Sequence, residues 1–163
     1  MSDDQQRPES FERLDPRQKW VIRIHTALIG LVPAAALGIA DLVLATEIPW
    51  QYGAVSLAVV LLYLIAVTVF PGRRYRRWGY QMGEEAIRIV SGWIFRKDTV
   101  VPFARVQHID VSRGPIERMF GVATLTLHTA GSYNSTVALP GLAIDDANRM
   151  REEIRRQIGH DLP

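Results

Sequence analysis

The chain has 163 residues, 48% hydrophobic and 22% charged, with 19 Lys and Arg against 17 Asp and Glu and a mean hydropathy of +0.03. That length suits one domain or a small domain with an attachment, and a net charge of only +2 excludes nucleic-acid binding driven by phosphate contacts. The absence of cysteine excludes a disulfide scaffold, a Cys-ligated zinc site, an iron–sulfur cluster and a thiol nucleophile.

The averages hide an uneven charge map. Residues 1–23 carry five basic and five acidic groups, and residues 71–163 carry fourteen basic groups and ten acids. Between them, residues 24–70 contain no Lys or Arg and only two acids, Asp41 and Glu47. Residues 1–22 therefore read as a polar N-terminal segment, and residues 23–71 as something that avoids charge.

Two apolar runs occupy the charge desert: residues 26–45, twenty positions with one charge, and residues 53–70, eighteen with none. A hydrocarbon core of roughly 30 Å needs about 20 helical residues. The first run meets this directly; the second meets it if its helix starts near Pro49, a residue suited to a first turn. Two spans, about 24–45 and 50–70, form a predicted hairpin. A soluble core helix would show a polar face, and residues 54–70 show none. The first run follows a polar segment and lacks an A-x-A site, so it does not read as a signal peptide. Pro33 is expected to kink the first span.

Basic residues set the orientation. Arg17, Lys19 and Arg23 precede the first span, Arg73, Arg74, Arg76 and Arg77 follow the second, and the 46–52 loop has Glu47 and no basic residue. The positive-inside rule then predicts a multi-pass cell-membrane protein with both termini cytoplasmic. Arg73, Arg74, Arg76 and Arg77 are the candidate electrostatic contacts to lipid headgroups. Trp20, Tyr75, Trp78 and the loop aromatics Trp50 and Tyr52 suit the interface. Thr26, Gly30, Ala34 and Gly38 share a helix face. That face packs on the second span through Ala54 and Ala58, or serves as a dimer face. Asp41 is the one charge inside a span, a candidate for headgroup contact or for a transport role.

Beyond Trp78 the period changes. Ile87, Ile89 and Trp93 mark a half-buried strand, with Arg88 between the isoleucines. Residues 99–101 and 106–111 read as further strands. Gly114-Pro115 breaks the pattern, and residues 115–120 suit one helical turn. Ala123, Leu125 and Leu127 alternate with Thr124, Thr126 and His128. Gly131, Ser132 and Asn134 mark a turn, after which Val137 and Leu139 continue the alternation. The last segment, about 143–158, is helical, with Ala143, Ala147, Met150, Ile154 and Ile158 on one face and Gly159 closing it. Asp145–Arg149 and Glu152–Arg156 are predicted surface pairs. Six or seven short strands and one amphipathic helix over residues 72–163 make an α+β or small-barrel domain.

The residues from 101 to 131 carry a family likeness. Pro102, Arg105-Val106-Gln107, Gly114-Pro115-Ile116, Arg118, Phe120-Gly121, Ala123-Thr124-Leu125 and Thr129-Ala130-Gly131 resemble the bacterial PH-domain membrane proteins of the YdbS type. The resemblance implies a pleckstrin-homology-like domain, a bent antiparallel β-barrel capped by its C-terminal helix, carried on a membrane α-helical hairpin. It also implies a link to envelope stress or to resistance against membrane-active compounds, often beside a larger membrane protein with related domains. One property is not carried over. Phosphoinositide-binding PH domains use basic residues around the first hairpin, whereas here that turn, residues 82–85, holds Glu84 and Glu85, which would repel a phosphorylated headgroup.

No catalytic, cofactor or metal constellation stands out. His25, His108, His128 and His160 lack ligand spacing, though His108 and His128 could meet across strands, and there is neither a nucleophile elbow nor a P-loop. Arg113 and Arg118 flank Gly114-Pro115 and are candidates for an anion or partner contact, or for pairing with Asp110 or Glu117. The predicted function is a non-enzymatic, membrane-anchored interaction module at the cytoplasmic face. Its partners are the bilayer and another membrane protein or a second copy of itself, with no nucleic acid, small-molecule substrate or cofactor. The alternative is a small transport or enzymatic subunit using Asp41.

Overall fold

The computed structural model describes residues 11–44, 49–92, 95–130 and 136–160. Residues 1–10 of the polar segment, most of the loop between the apolar runs, Trp93 and the turn expected at 131–135 lie outside the described residues. The chain divides into a helical unit, Lys19–Tyr75, and a second unit made from Met1–Gln18 and Arg76–Pro163.

The helical unit follows from the two apolar runs. Helix α1 spans Gln18–Leu44, running through Pro33, and helix α2 spans Pro49–Arg76, starting at the predicted proline. At about 1.5 Å per residue each is about 40 Å long, more than a hydrocarbon core requires. Their apolar windows, Gln18–Asp41 and Ser56–Arg76, are only 6% buried, so they are not core helices of a soluble domain. Within this unit Gly30 faces Tyr63: a Cβ on Gly30 would lie 3.0 Å from Tyr63 Cε2. The Tyr63 hydroxyl also donates to the Ala27 carbonyl at 3.0 Å. The small-residue stripe of α1 thus meets α2 at Gly30, on Tyr63, whereas a Cβ on Gly38 would meet nothing within 4 Å and Ala54 and Ala58 are exposed.

The second unit is built from two three-stranded antiparallel sheets. The first has the order β1 (Gly79–Met82), β2 (Ala86–Ser91), β3 (Lys97–Pro102); the second has β4 (Val106–Ser112), β5 (Val122–Thr129), β6 (Thr136–Ala143). Pro102 and a one-turn 3-10 segment, Phe103–Arg105, separate β3 from β4. The predicted strands are present, as two sheets; no closed barrel forms among the described residues. The short helix α3, Pro115–Phe120, crosses from β4 to β5.

The core matches the alternation. Leu125, Leu127, Ala123 and Val122 of β5, Leu139 and Leu142 of β6, and Ile87 and Ile89 of β2 are almost fully buried. Helix α4, Ile144–His160, lays Ala147, Met150 and Ile154 against the second sheet. It continues past Gly159. Its ion pairs also differ from those predicted: Arg149 meets Asp146, and Glu152 meets Arg151 at 3.2 Å and Arg155 at 3.8 Å. Neighbours at i,i+3 share a helix face as well as those at i,i+4.

The polar N-terminal segment contributes a strap to this unit. Glu12 pairs with Tyr80 of β1, with N–H···O distances of 2.8 and 3.0 Å, and the Asp15 amide donates to the Gly141 carbonyl at 2.8 Å. Leu14 between them is 2% exposed. Gly141 explains the Pro140-Gly141 pair: its φ is +75°, and a Cβ there would stand 2.4 Å from Gln18 Cγ.

Candidate functional site

A cleft of about 530 Å³ opens in the second unit where β1 begins and β2 ends. It is lined by Arg13 of the strap, Arg76 and Arg77 beside the start of β1, and Arg96 before β3, with Phe11, Trp78 and the Gly79, Ser91 and Gly92 region completing the wall. The lining residues include four guanidinium groups and no carboxylate.

Local chemistry fixes the wall. Phe11 sits over Gly79, where an added Cβ would be 3.2 Å from Phe11 Cβ. The Arg88 guanidinium lies 5.5 Å from the Phe11 ring centroid, a cation–π contact. Arg88 is itself forked onto Asp98, with Nε 3.0 Å from Oδ1 and Nη2 2.7 Å from Oδ2. That hydrogen bonding holds the Asp98 carboxyl below its ordinary range, with a smaller contribution from the charge of Arg96. The turn after β2 needs its glycine: Gly92 has φ +134°, and a Cβ would lie 1.8 Å from the Phe95 carbonyl oxygen. Phe95, next to Arg96, is 85% exposed.

The sequence-predicted basic contacts split. Arg76 and Arg77 line the cleft, while Arg73 and Arg74 are exposed on the last turn of α2, in the helical unit. Arg113 and Arg118 are exposed around α3 and make no ion pair among the described residues. Asp110 instead lies 3.0 Å from His108 Nε2 and 3.2 Å from His128 Nε2, and the two histidines are opposite each other in the β4–β5 register. Glu84 and Glu85 are exposed at the far end of β1 and β2 from the cleft. Within the helical unit Asp41 is only 8% exposed and accepts a hydrogen bond from the Ser56 hydroxyl. Its carboxylate is thus engaged by the neighbouring helix.

Arg13, Arg96 and Phe11 escape sequence reading. The available signal is slight: Phe11 and Leu14 are the only large apolar side chains in residues 2–19.

A second small cleft, of about 240 Å³, lies between the strap and α4 and is lined by Glu12, Tyr80, Met82, Asp146, Arg149, Met150 and Glu153. Burial raises the Tyr80 phenol above its ordinary value, and its hydrogen bond to Glu12 raises it further. Tyr80 is therefore a neutral donor throughout the physiological range.

Two three-stranded sheets capped by a C-terminal helix, on a chain with two membrane-length helices, define a membrane protein with a pleckstrin-homology-like domain. Residues 27–158 match the bacterial PH domain family, and the chain belongs to it. Over 153 residues it is 30% identical to the UPF0699 transmembrane protein YdbS of Bacillus subtilis (strain 168), covering 92% of this chain and 94% of that one. It is 27% identical over 104 residues to the UPF0699 transmembrane protein YdbT of the same organism, covering 63% of this chain and 20% of that one. A solved structure of a DUF1696-family protein with a pleckstrin-homology domain, from Shewanella loihica, is similar at 15% identity and a TM-score of 0.40, over 52% of this chain and 74% of that one.

Proposed function

We propose that this protein is a two-span membrane anchor that holds a PH-like interaction module at the cytoplasmic face, without catalytic activity, where it engages a partner membrane protein in envelope stress or resistance to membrane-active compounds. The carrying observation is the distribution of basic residues. Both ends of the helical hairpin are flanked by arginine and lysine, and the connecting loop has neither. Arg73, Arg74, Arg76 and Arg77 contact anionic headgroups, each contributing ~1 kcal/mol near the surface.

The partner surface is assigned to α3. Arg113, Arg118 and Met119 are exposed there, with Met119 at 79%, and such an apolar residue ringed by cations suits a protein contact. The partner class is a larger membrane protein carrying related PH-like domains, or a second copy of the chain. Asp41 is assigned an anchoring role, because its bond to Ser56 ties α1 to α2.

A photo-crosslinking residue at Met119, in the full-length protein in its own membrane, tests the partner assignment. A covalent adduct with a larger PH-domain membrane protein or with the chain itself is expected, and none from a crosslinker at Glu84. Equal capture at both positions, or capture at neither, overturns the assignment. For topology, a cysteine at Gln51 should react with an impermeant thiol reagent in intact cells and one at Ser2 should not; the reverse pattern places the domain outside.

A further inference from the structure

We propose that the turn between β2 and β3 is an apolar anchor that seats Phe95 in the bilayer, a second and non-helical membrane attachment of this chain. This contact rests on the membrane-anchor reading and adds to it an attachment that needs neither charge nor a headgroup.

At 85% exposure, Phe95 is the most exposed large apolar side chain among the described residues, above even the outward positions of α1 and α2. In sequence it closes a run of three large apolar residues, Trp93-Ile94-Phe95, of which the first two lie outside the described residues. A single exposed apolar residue needs no explanation, whereas a consecutive run between two surface strands does. The backbone builds the turn deliberately. Gly92 has φ +134°, and a Cβ there would stand 1.8 Å from the Phe95 carbonyl oxygen, so the chain doubles back between these two residues in a way only glycine allows. Pairing resumes at once on either side, with Ser91 opposite Lys97.

Register and connectivity point to the bilayer as the occupant. Gly79 pairs with Val90 and Ser91 with Lys97, so the turn lies at the end of the sheet where β1 begins. Gly79 follows Arg76, the last residue of α2, by three residues, a span of at most about 11 Å. Neighbouring strands are only about 5 Å apart. The chain itself therefore tethers the turn beside the end of a membrane-length segment. The opposite end of the same sheet carries the exposed Glu84 and Glu85. The sheet is thus apolar at the end next to the helix and acidic at the end away from it, the sense in which a bilayer would sort them. Met119, the other strongly exposed apolar residue of this unit, sits on α3 between β4 and β5 and has no such tether.

The chain has no cysteine, so single cysteines can carry an environment-sensitive fluorophore in the full-length protein, reconstituted into neutral phosphatidylcholine bilayers. The labelled variants are F95C, E84C, M119C and, within α2, L62C. A doxyl group near the headgroup end of the acyl chain should quench the label of F95C, and one deeper in the chain that of L62C, with E84C and M119C unquenched. Quenching at F95C should persist at about 1 M salt, where the Debye length is about 3 Å. With the label moved to R96C beside an intact Phe95, adding F95S should lower the ratio of inserted to free turn roughly tenfold or more, the worth of one phenylalanine side chain. Gel-filtration and circular-dichroism profiles matching the parent show that the variants remain folded. An unquenched F95C beside a quenched L62C overturns the turn anchor and leaves the helical anchor standing. Loss of quenching at both overturns the membrane reading itself. Quenching at F95C that requires anionic lipid or vanishes in salt assigns the contact to charge and overturns the apolar anchor. Equal quenching at F95C, E84C and M119C overturns it as well.

Discussion

The strap is held near balance, and Leu14→Ala should open it. Three backbone hydrogen bonds tie it to β1 and β6, contributing together about 1.5–4.5 kcal/mol. Burial of Leu14, 2% exposed, adds about 1.5–3 kcal/mol, and the Phe11–Arg88 contact roughly 0.5–1 kcal/mol. Ordering residues 11–15 costs about 5–10 kcal/mol of backbone entropy. The opposing totals meet within a few kcal/mol, so the strap opens locally without the domain unfolding. Truncating Leu14 should cost about 2 kcal/mol or more, shifting the opening equilibrium roughly thirtyfold.

Hydrogen exchange on the full-length protein reads this directly. The amides of Glu12, Asp15 and Tyr80 should lose protection in Leu14→Ala, while those of Leu125 and Leu127 in the central strand of the second sheet should not. Unchanged protection at Glu12 and Tyr80, or uniform loss across the whole domain, refutes the picture of a separately opening strap.

Four other outcomes follow from the geometry. Leu125→Asp buries an unpaired charge at a fully buried site, costs several kcal/mol, and should abolish the cooperative melt of the PH-like unit by circular dichroism. Gly92→Ala should distort the β2–β3 turn, because its Cβ would meet the Phe95 carbonyl and its φ is +134°, and should lower the melting temperature of the PH-like unit. Burial and the hydrogen bond to Glu12 raise the Tyr80 phenol in the folded state above the ordinary tyrosine range. The folded chain therefore holds this proton after the unfolded chain has lost it, and stability should decline as pH rises above about 10. That alkaline decline should be smaller in Tyr80→Phe, measured by denaturant titration from pH 7 to 11. Asp41→Asn keeps an acceptor for Ser56 and should leave expression and phenotype unchanged, whereas a lost phenotype in stable, correctly inserted protein would return Asp41 to a transport role.

The strand and helix framework is legible because each element repeats one physical period several times. Leu125 and Leu127 alternate with threonines because β5 is the central strand of its sheet, with one face toward the core. Ala147, Met150 and Ile154 recur because α4 turns one face to that core. The short strand β1, Gly79–Met82, is too brief to show a period. The strap is briefer still, since a single residue pair joins it to β1, and nothing in a polar run announces one bridge. The Asp41–Ser56 pair likewise depends on which turn of α2 meets which turn of α1, a register that two uniformly apolar runs do not encode.

The cleft is hidden for a different reason. Arg13, Arg76, Arg77 and Arg96 lie in three separate stretches of chain, and only sheet pairing collects them: Gly79 opposite Val90 brings the start of β1 to the end of β2, and the Glu12–Tyr80 bridge adds the strap. In sequence, residues 73–77 read as a single basic cluster. In the fold α2 ends at Arg76, so that Arg73 and Arg74 stay with the helical unit while Arg76 and Arg77 join the sheet unit. The four arginines are therefore divided between the two units. On the proposed reading Arg73 and Arg74 act at the membrane boundary, where any cation of similar reach suffices. Arg76 and Arg77 line the cleft. Replacing Arg73 and Arg74 by Lys should accordingly be silent in topology, as should Arg76→Lys with Arg77→Lys, since each keeps the positive charge that sets orientation. An inverted topology in either lysine pair, read by impermeant thiol labelling, would refute orientation by positive charge.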